Sequence, residues 1–304
     1  LVIGIGEILW DMLPSGRRLG GAPANFAYCS HLLGARSAVV SRVGKDQLGD
    51  EIREQLLRSG VSADLLQEDA VHSTGIVNVT LDTGGQPRFQ IEYPAAWDFI
   101  QWNRELERMA QSLDAVCFGS LAQRSEQSRS TIMKFLDSTR KDALRVFDVN
   151  LRQSFYSRKI LRDSVKQANV LKLNHQELPR VAEMLDVSQT DFVSSLFKRY
   201  ELRLICVTRG EAGSSLFQAR RQGQSDITIV REAHPGLKVQ VKDAVGAGDA
   251  FTAGLVHELL RGSSLDVMND TANRMGAWVA SSEGAMPALP KQGLAAVLTG
   301  FREK

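Results

Sequence analysis

Residues 241–254 read VKDAVGAGDAFTAG, a strand end that passes through a glycine-rich turn into a helical run. Gly246 and Gly248 flank Ala247, so consecutive backbone N–H groups can converge on one anion, and the helix behind them adds the positive end of its dipole. Asp249, in the first turn of that helix, is ill suited to hold a phosphate because its own charge repels one. Beside an anion cradle it suits a base that accepts the proton of an attacking hydroxyl. The competing reading is a turn shaped by two glycines and a helix capped by Asp, a favoured capping residue. The other common phosphate-binding patterns are absent: the chain has no G-x-x-x-x-G-K-[ST] run, and Gly4-x-Gly6 is followed by Leu9 where a third glycine would stand.

Other polar residues stand where ligands could be held. In LGGAPANFA, residues 19–27, Gly20 and Gly21 let backbone approach a ligand closely, and Pro23 can begin a helix. Asn25 offers a donor and an acceptor to hydroxyl groups, or serves as a packing amide. Asn174 and Glu177 follow a strand-like run three residues apart, a spacing that suits a hydrated Mg²⁺ or a helix-capping pair equally well. Asp148, Asn150 and Arg152 alternate at another strand end, and Arg152 can steady phosphate charge or hold a carboxylate. His31, His72, His175, His234 and His257 lack a metal-ligand spacing. Cys29, Cys117 and Cys206 lack a C-x-x-C pairing and read as buried small hydrophobes.

The elements that must position these groups alternate in type. Strand-like runs at residues 2–6, 37–43, 115–118, 144–149, 170–173 and 204–208 are interleaved with helical patterns at 24–33, 47–59, 126–139, 158–168, 176–185, 191–200, 249–261 and 265–282. This alternation predicts a doubly wound, mostly parallel α/β sheet flanked by helices. Residues 75–82 and 87–93 alternate with period two around Gly84-Gly85 and predict a hairpin. Its apolar face, Val77, Val79, Leu81, Phe89, Ile91 and Tyr93, must cover a ligand, another subunit or the core. Residues 9–19, with a Pro14-Ser15-Gly16 turn, are expected to join the same small sheet. The 304 residues are 43% hydrophobic and 24% charged, as in a globular domain, and 37 basic against 35 acidic residues give no electrostatic footprint for nucleic acid or an anionic membrane. No apolar run is long enough to cross a bilayer, and a cytoplasmic location is expected.

Residues 241–254 resemble the C-terminal signature of the ribokinase-like, or PfkB, family of carbohydrate kinases, D-T-x-G-A-G-D. Residues 19–27 resemble its N-terminal signature in the form found in fructokinases. FDVNLR at 147–152 is similar to the family's F-D-x-N-x-R, NHQE at 174–177 to its N-x-x-E, and VTRGEAG at 207–213 to its V-T-x-G-x-x-G turn. These motifs follow the family order across nearly the whole chain. The resemblance implies one ribokinase-like α/β domain over residues 1–304, with segments near 9–19 and 75–98 forming a small β-sheet lid. It implies transfer of the γ-phosphoryl group of ATP to a primary hydroxyl of a small sugar, fructose first among them, with Asp249 as base and Gly246, Ala247 and Gly248 holding the transferred group. On the sugar side it places Asp11, Gly20, Gly21, Asn25 and Arg152, and on the nucleotide side Asn174, Thr208, Arg209, Gly210 and Gly248. Asn273 and Gly276 lie at a helical spacing that admits an adenine ring or a close helix contact. Asn174 and Glu177 are assigned Mg²⁺, partly through water, and Asp243, together with backbone carbonyls, a monovalent cation such as K⁺. Ala244 stands where the family has Thr, and Val149 where Pro is common. A homodimer through the lid is also expected.

Alternatives remain within the same sequence. Arg17, Arg18 and Arg88 in the lid segments suit the phosphate of a sugar phosphate, unless they are solvated. Tyr93 and Trp97 can stack on a base, which suits a riboside or nucleoside. A regulatory protein that binds sugar or nucleotide without turnover is the reading from another class, and the intact Asp249 argues against it.

Overall fold

The computed structural model describes residues 1–14, 16–81, 87–222 and 226–301. In chain order the strands are β1 (Val2–Ile5), β2 (Leu9–Leu13), β3 (Gly16–Gly20), β4 (Ser37–Gly44), β5 (Leu66–Asp69), β6 (Gly75–Leu81) and β7 (Pro87–Ile91). They continue as β8 (Ala115–Phe118), β9 (Leu144–Asp148), β10 (Val170–Asn174), β11 (Leu204–Thr208), β12 (Ser214–Gln222) and β13 (Asp226–His234). The helices are α1 (Ala22–Leu32), α2 (Gln47–Arg58), α3 (Arg104–Ser112), α4 (Glu126–Asp137), α5 (Arg158–Gln167), α6 (Leu178–Leu185), α7 (Phe192–Arg199), α8 (Ala247–Leu260), α9 (Leu265–Ala280) and α10 (Leu294–Thr299).

The β-branched runs expected as buried strands pair in parallel as β4-β1-β8-β9-β10-β11, inside a nine-stranded sheet ordered β13-β12-β11-β10-β9-β8-β1-β4-β5. Alternation along each strand feeds two cores. Ile3, Ile5, Phe118, Phe147 and Ile205 point to one face, where α3 to α7 supply Leu106, Phe135, Leu161, Val181 and Phe197. Val2, Val39, Cys117, Val146 and Cys206 point to the other, against Phe26, Ile52, Leu255 and Met275. Each large side chain so buried contributes about 1.5–3 kcal/mol by leaving water. Cys29, Cys117 and Cys206 are free and buried, as their isolation in sequence predicts.

Elements the sequence reading omitted sit at the margins. β12 and β13 form an antiparallel edge pair whose polar residues, such as Gln218 and Thr228, break any continuous apolar run. α3 buries only Leu106 and Ala110, and its N-cap, Asn103, accepts from Leu106 N–H at 2.9 Å.

Residues 9–20 and 75–91 build a second sheet, ordered β3-β2-β6-β7. The expected turn at Gly84 and Gly85 lies outside the described residues. Across β6 and β7, Val77 faces Ile91, and both are buried with Leu9 and Trp97 inside this chain. Where it is described, the strand part of the hairpin's apolar face therefore has cover without a second chain, while Tyr93 beyond it is exposed. Among the described residues no helix is long and apolar enough to cross a membrane.

Candidate active site

The chain runs from β1 to β4 on one side and from β8 onward on the other, so the sheet order reverses between β1 and β8. A crevice at the carboxyl ends of such strands is where α/β sheets hold ligands. Glu7 follows β1, Asp148 ends β9, Asn174 ends β10 and Thr208 ends β11.

Gly246 caps α8 with φ 78° and ψ −9°, a left-handed conformation natural to glycine. A Cβ there would lie 2.5 Å from the Ala285 Cβ, so the loop after α9 leaves no space for a side chain. Among the described residues no acceptor takes the N–H groups of Gly246, Gly248 or Asp249, while Ala247 N–H reaches Ala244 O at 3.3 Å. These donors at the positive end of a 14-residue helix make a cradle for an anion.

Asp249 stands at the cradle's edge, half-buried, and its Oδ2 accepts from Asn25 Nδ2 at 2.8 Å. Asn25 lies on α1, so this bond joins the sequence motifs at the two ends of the chain. Burial first, and the Asp148 charge second, push the Asp249 carboxyl up from 3.8 to about 6, against the pull of the Asn25 hydrogen bond, Lys172 and Arg152. A carboxylate that ionises there is a competent base near neutral pH.

Beneath the cradle lies a group that sequence reasoning missed. Lys172 Nζ sits 3.0 and 2.9 Å from the two oxygens of Asp148, with both residues buried. Thr252 Oγ1 is 2.9 Å from both Asp148 Oδ2 and Gly248 O, and its single proton serves one of them. Burial opposes the charge on Lys172, but Asp148 and Asp249 outweigh it and raise its pKa. A Cβ on Gly248 would lie 3.0 Å from Lys172 Nζ, which places the ammonium directly under the cradle. The available signal was a lysine inside the apolar strand VLKLN.

On the other wall, Asp11 is half-buried on β2, and burial pushes its carboxyl up to about 6, with Arg152 lowering and Asp243 raising it. Gly20 makes room for it, since a Cβ there would lie 2.5 Å from Asp11 Oδ2. Gly21, the N-cap of α1, approaches β1 so closely that a Cβ would lie 2.5 Å from Glu7 O. Glu7, also missed from sequence, is buried, and burial pushes its pKa to about 7, with Asp249 raising it and Arg152 lowering it. Glu7 Oε2 and Asn25 Oδ1 are buried acceptors with no donor among the described residues. Arg152 is exposed, lies 3.4 Å from Leu151 O, and is the cation whose charge reaches Glu7, Asp11 and Asp249 alike.

Asn174 Oδ1 accepts from Gln176 and Glu177 N–H at 2.9 Å each, and Glu177 Oε2 accepts from Asn174 N–H at 2.8 Å. Glu177 Oε1 takes Leu151 N–H at 2.8 Å. The pair is thus a reciprocal cap that also ties β10 to the loop after β9. Each carboxylate oxygen retains a lone pair, so the donor set fits a hydrated divalent cation held through water.

Several expected site residues are engaged within the protein. Trp97 is 1% exposed, with the Arg124 guanidinium 3.9 Å from its ring centroid, and it offers no face to a base or sugar. Arg209 is folded back: Nη1 donates to Ser215 Oγ at 2.8 Å, and Nη2 lies 3.0 Å from Ser214 O. Only its backbone, with Thr208 and the exposed Gly210, borders the crevice end of β11. Asn273 Nδ2 is engaged by Ser214 Oγ and Asn269 O, at 2.8 and 2.7 Å. Gly276 packs closely against the start of α8, where a Cβ would lie 3.1 Å from Ala247 O. The Arg88 side chain lies outside the described residues.

The family model described as pfkB family carbohydrate kinase matches residues 16–292. A fructokinase of Salmonella typhimurium is 33% identical over 307 residues, covering 95% of each chain. The structure of a sugar kinase of Pyrococcus horikoshii in complex with ATP is 28% identical, covers 94% of each chain and superposes with a TM-score of 0.78. Two structures of a Vibrio cholerae fructokinase are 26% identical over 97% of this chain and 97% and 96% of theirs, with TM-scores of 0.76 and 0.75. Both hold fructose and ADP, one with a calcium ion and the other, a double mutant, with a potassium ion. This chain belongs to the pfkB family of carbohydrate kinases, and its reaction is phosphoryl transfer to a sugar.

Proposed function

We propose that this chain uses ATP to phosphorylate a primary hydroxyl of a small free sugar, fructose first among the candidates, in the cytoplasm. The observation that carries the reading is the Asp249 carboxylate, held by Asn25 at 2.8 Å, beside backbone donors that have no acceptor among the described residues. Sugar hydroxyls would donate to Asp11 and to the unpartnered Glu7 Oε2 and Asn25 Oδ1. Asp249 then takes the proton of the attacking hydroxyl, whose oxygen bonds to the γ-phosphorus as the bond to the ADP oxygen breaks. The N–H groups of Gly246, Gly248 and Asp249 receive the charge of the transferring group, with Lys172 below them. Asn174 and Glu177 would hold Mg²⁺ through water, and when bound it neutralises phosphate charge. β2, β3, β6 and β7 would act as the lid that keeps water from replacing the sugar.

Fructose is favoured because the fructokinases of Salmonella typhimurium and Vibrio cholerae are full-length relatives. A sugar phosphate is less favoured, because Arg17 already pairs with Glu51 and Arg18 lies 3.0 Å from Asp243. The decisive experiment is a coupled ADP assay over free sugars, sugar phosphates and nucleosides, run on the parent and Asp249→Asn. Fructose should give the highest kcat/KM, and the variant should fold yet lose about 10³-fold or more in kcat. A folded variant with near-parental turnover removes Asp249 as base, and a better sugar phosphate or nucleoside removes the substrate assignment.

A further inference from the structure

Asp243 begins the turn that leads into α8, and its carboxylate is already occupied. Oδ1 accepts from Val245 N–H at 3.0 Å and Oδ2 from Gly284 N–H at 3.3 Å, which knits the cradle turn to the loop after α9. Arg18, on β3 of the small sheet, brings Nη1 to 3.0 Å from the same Oδ2 and Nη2 to 3.8 Å from Glu283. Its stem lies against that loop, where a Cβ on Gly284 would be 3.6 Å from Arg18 Cδ.

The resemblance assigns a monovalent cation to Asp243, and these surroundings do not fit one. A carboxylate has about four acceptor sites, and here backbone N–H groups and a guanidinium take three of them. Any ion approaching Oδ2 would also meet the positive charge of Arg18, and Ala244 supplies no hydroxyl ligand beside it.

We infer that Arg18 provides the positive charge at Asp243 from within the chain, so that the cradle needs no monovalent metal ion. The part of this inference that concerns turnover rests on the kinase reading above. The register gives the arrangement a consequence. Arg18 is the direct cross-strand partner of Asp11, so both side chains leave the same face of the small sheet. The docking that brings Asp11 to the sugar delivers the guanidinium to the cradle turn in the same step.

The test compares K⁺ with tetramethylammonium at constant ionic strength for the parent, Arg18→Gln and Arg18→Lys, with ATP, Mg²⁺ and fructose. Exchanging about 0.1 M tetramethylammonium for K⁺ should change parental kcat/KM by less than about twofold. Arg18→Gln should lose about tenfold or more in tetramethylammonium and recover most of it in K⁺, whereas Arg18→Lys should stay insensitive to K⁺. Melting temperature gives a second reading that needs no substrate: K⁺ should raise that of Arg18→Gln and leave the parent unmoved. Activation or thermal stabilisation of the parent by K⁺ overturns the inference, as does an Arg18→Gln protein as active as the parent in both salts. If no sugar turns over, the kinase reading fails, and the melting arm still decides the origin of the charge at Asp243. Should Arg18→Gln not fold, the parental response to K⁺ decides it.

Discussion

Replacing Lys172 by Met separates the electrostatics of the cradle from the stability of the core. The substitution strands Asp148, which is 3% exposed and would keep Thr252 as its one side-chain donor among the described residues. Breaking a buried ion pair from one side costs about 3–5 kcal/mol, and at roughly 2 °C per kcal/mol for a chain of this size the melting temperature should fall by about 6–10 °C. Adding Asp148→Asn removes the stranded charge and should restore most of that loss. Activity should behave differently. A positive charge 3.0 Å from where a Gly248 Cβ would stand should act on the transferring phosphoryl group, and neutralising Asp148 should not repair its removal. Loss of one such stabilising group typically costs about 10²-fold in kcat. The assay is a melt followed by circular dichroism, paired with ADP release under saturating sugar and ATP, on the parent, both single variants and the double variant. If the double variant regains kcat together with its melting temperature, Lys172 serves only to neutralise Asp148, and the electrostatic argument is wrong.

Three other outcomes follow from the same geometry. Because Asp249 must be ionised to act and its carboxyl is pushed up to about 6, kcat/KM should be level above that pH and fall about tenfold per unit below it; a limb that breaks near 4 would show that burial does not govern the base. Its folded pKa exceeds the usual 3.8, so Asp249 favours folding at low pH and loses that contribution as pH rises through about 6. At pH 8, Asp249→Asn should therefore be more stable than the parent by about 1–2 kcal/mol after allowance for solvent screening of a half-buried group, with the gap closing toward pH 4; denaturant melts at both pH values check the sign. Gly246→Ala places a Cβ 2.5 Å from that of Ala285 at φ 78°, and should cost about 2–4 kcal/mol and much of the activity. An unchanged urea midpoint would contradict the crowding at that turn.

The strands of the parallel array were legible because burial on both faces demands near-continuous apolar runs, as in AVCF of β8 and LICV of β11. The β12 and β13 edge was not legible, since its pairing needs no such run. In the site, Asp249, Asn25, Gly246 and Gly248 were marked by sequence, because backbone geometry and helix position fix what those residues can do. Arg209 and Trp97 were misjudged for the opposite reason. A long guanidinium chooses its partners in three dimensions, and Arg209 found the Ser215 hydroxyl and the Ser214 carbonyl. Trp97 lies where the small sheet meets the body, and its ring is held under Arg124, which Asp98 pairs at 2.8 Å. Lys172 was passed over because burial of a lysine is set by its counter-ion, and Asp148 comes from the neighbouring strand.

The distribution of charge across the crevice bears on the choice between a free and a phosphorylated sugar. Glu7, Asp11 and Asp249 all have carboxyls raised first by burial, so each carries a desolvation cost that a hydrogen-bond donor can offset. Sugar hydroxyls supply donors without adding charge. A phosphate on the same substrate would bring negative charge to a crevice that already holds three such groups, opposed there by Arg152 as the cation whose field reaches all of them. Lys172 and the backbone N–H groups without an acceptor among the described residues lie on the cradle side, where they suit phosphate charge. The crevice is therefore polar along its length, with acceptors at the hydroxyl end and donors at the phosphoryl end. A neutral polyol meets the acceptor end without adding charge to it, in keeping with the free sugar proposed above.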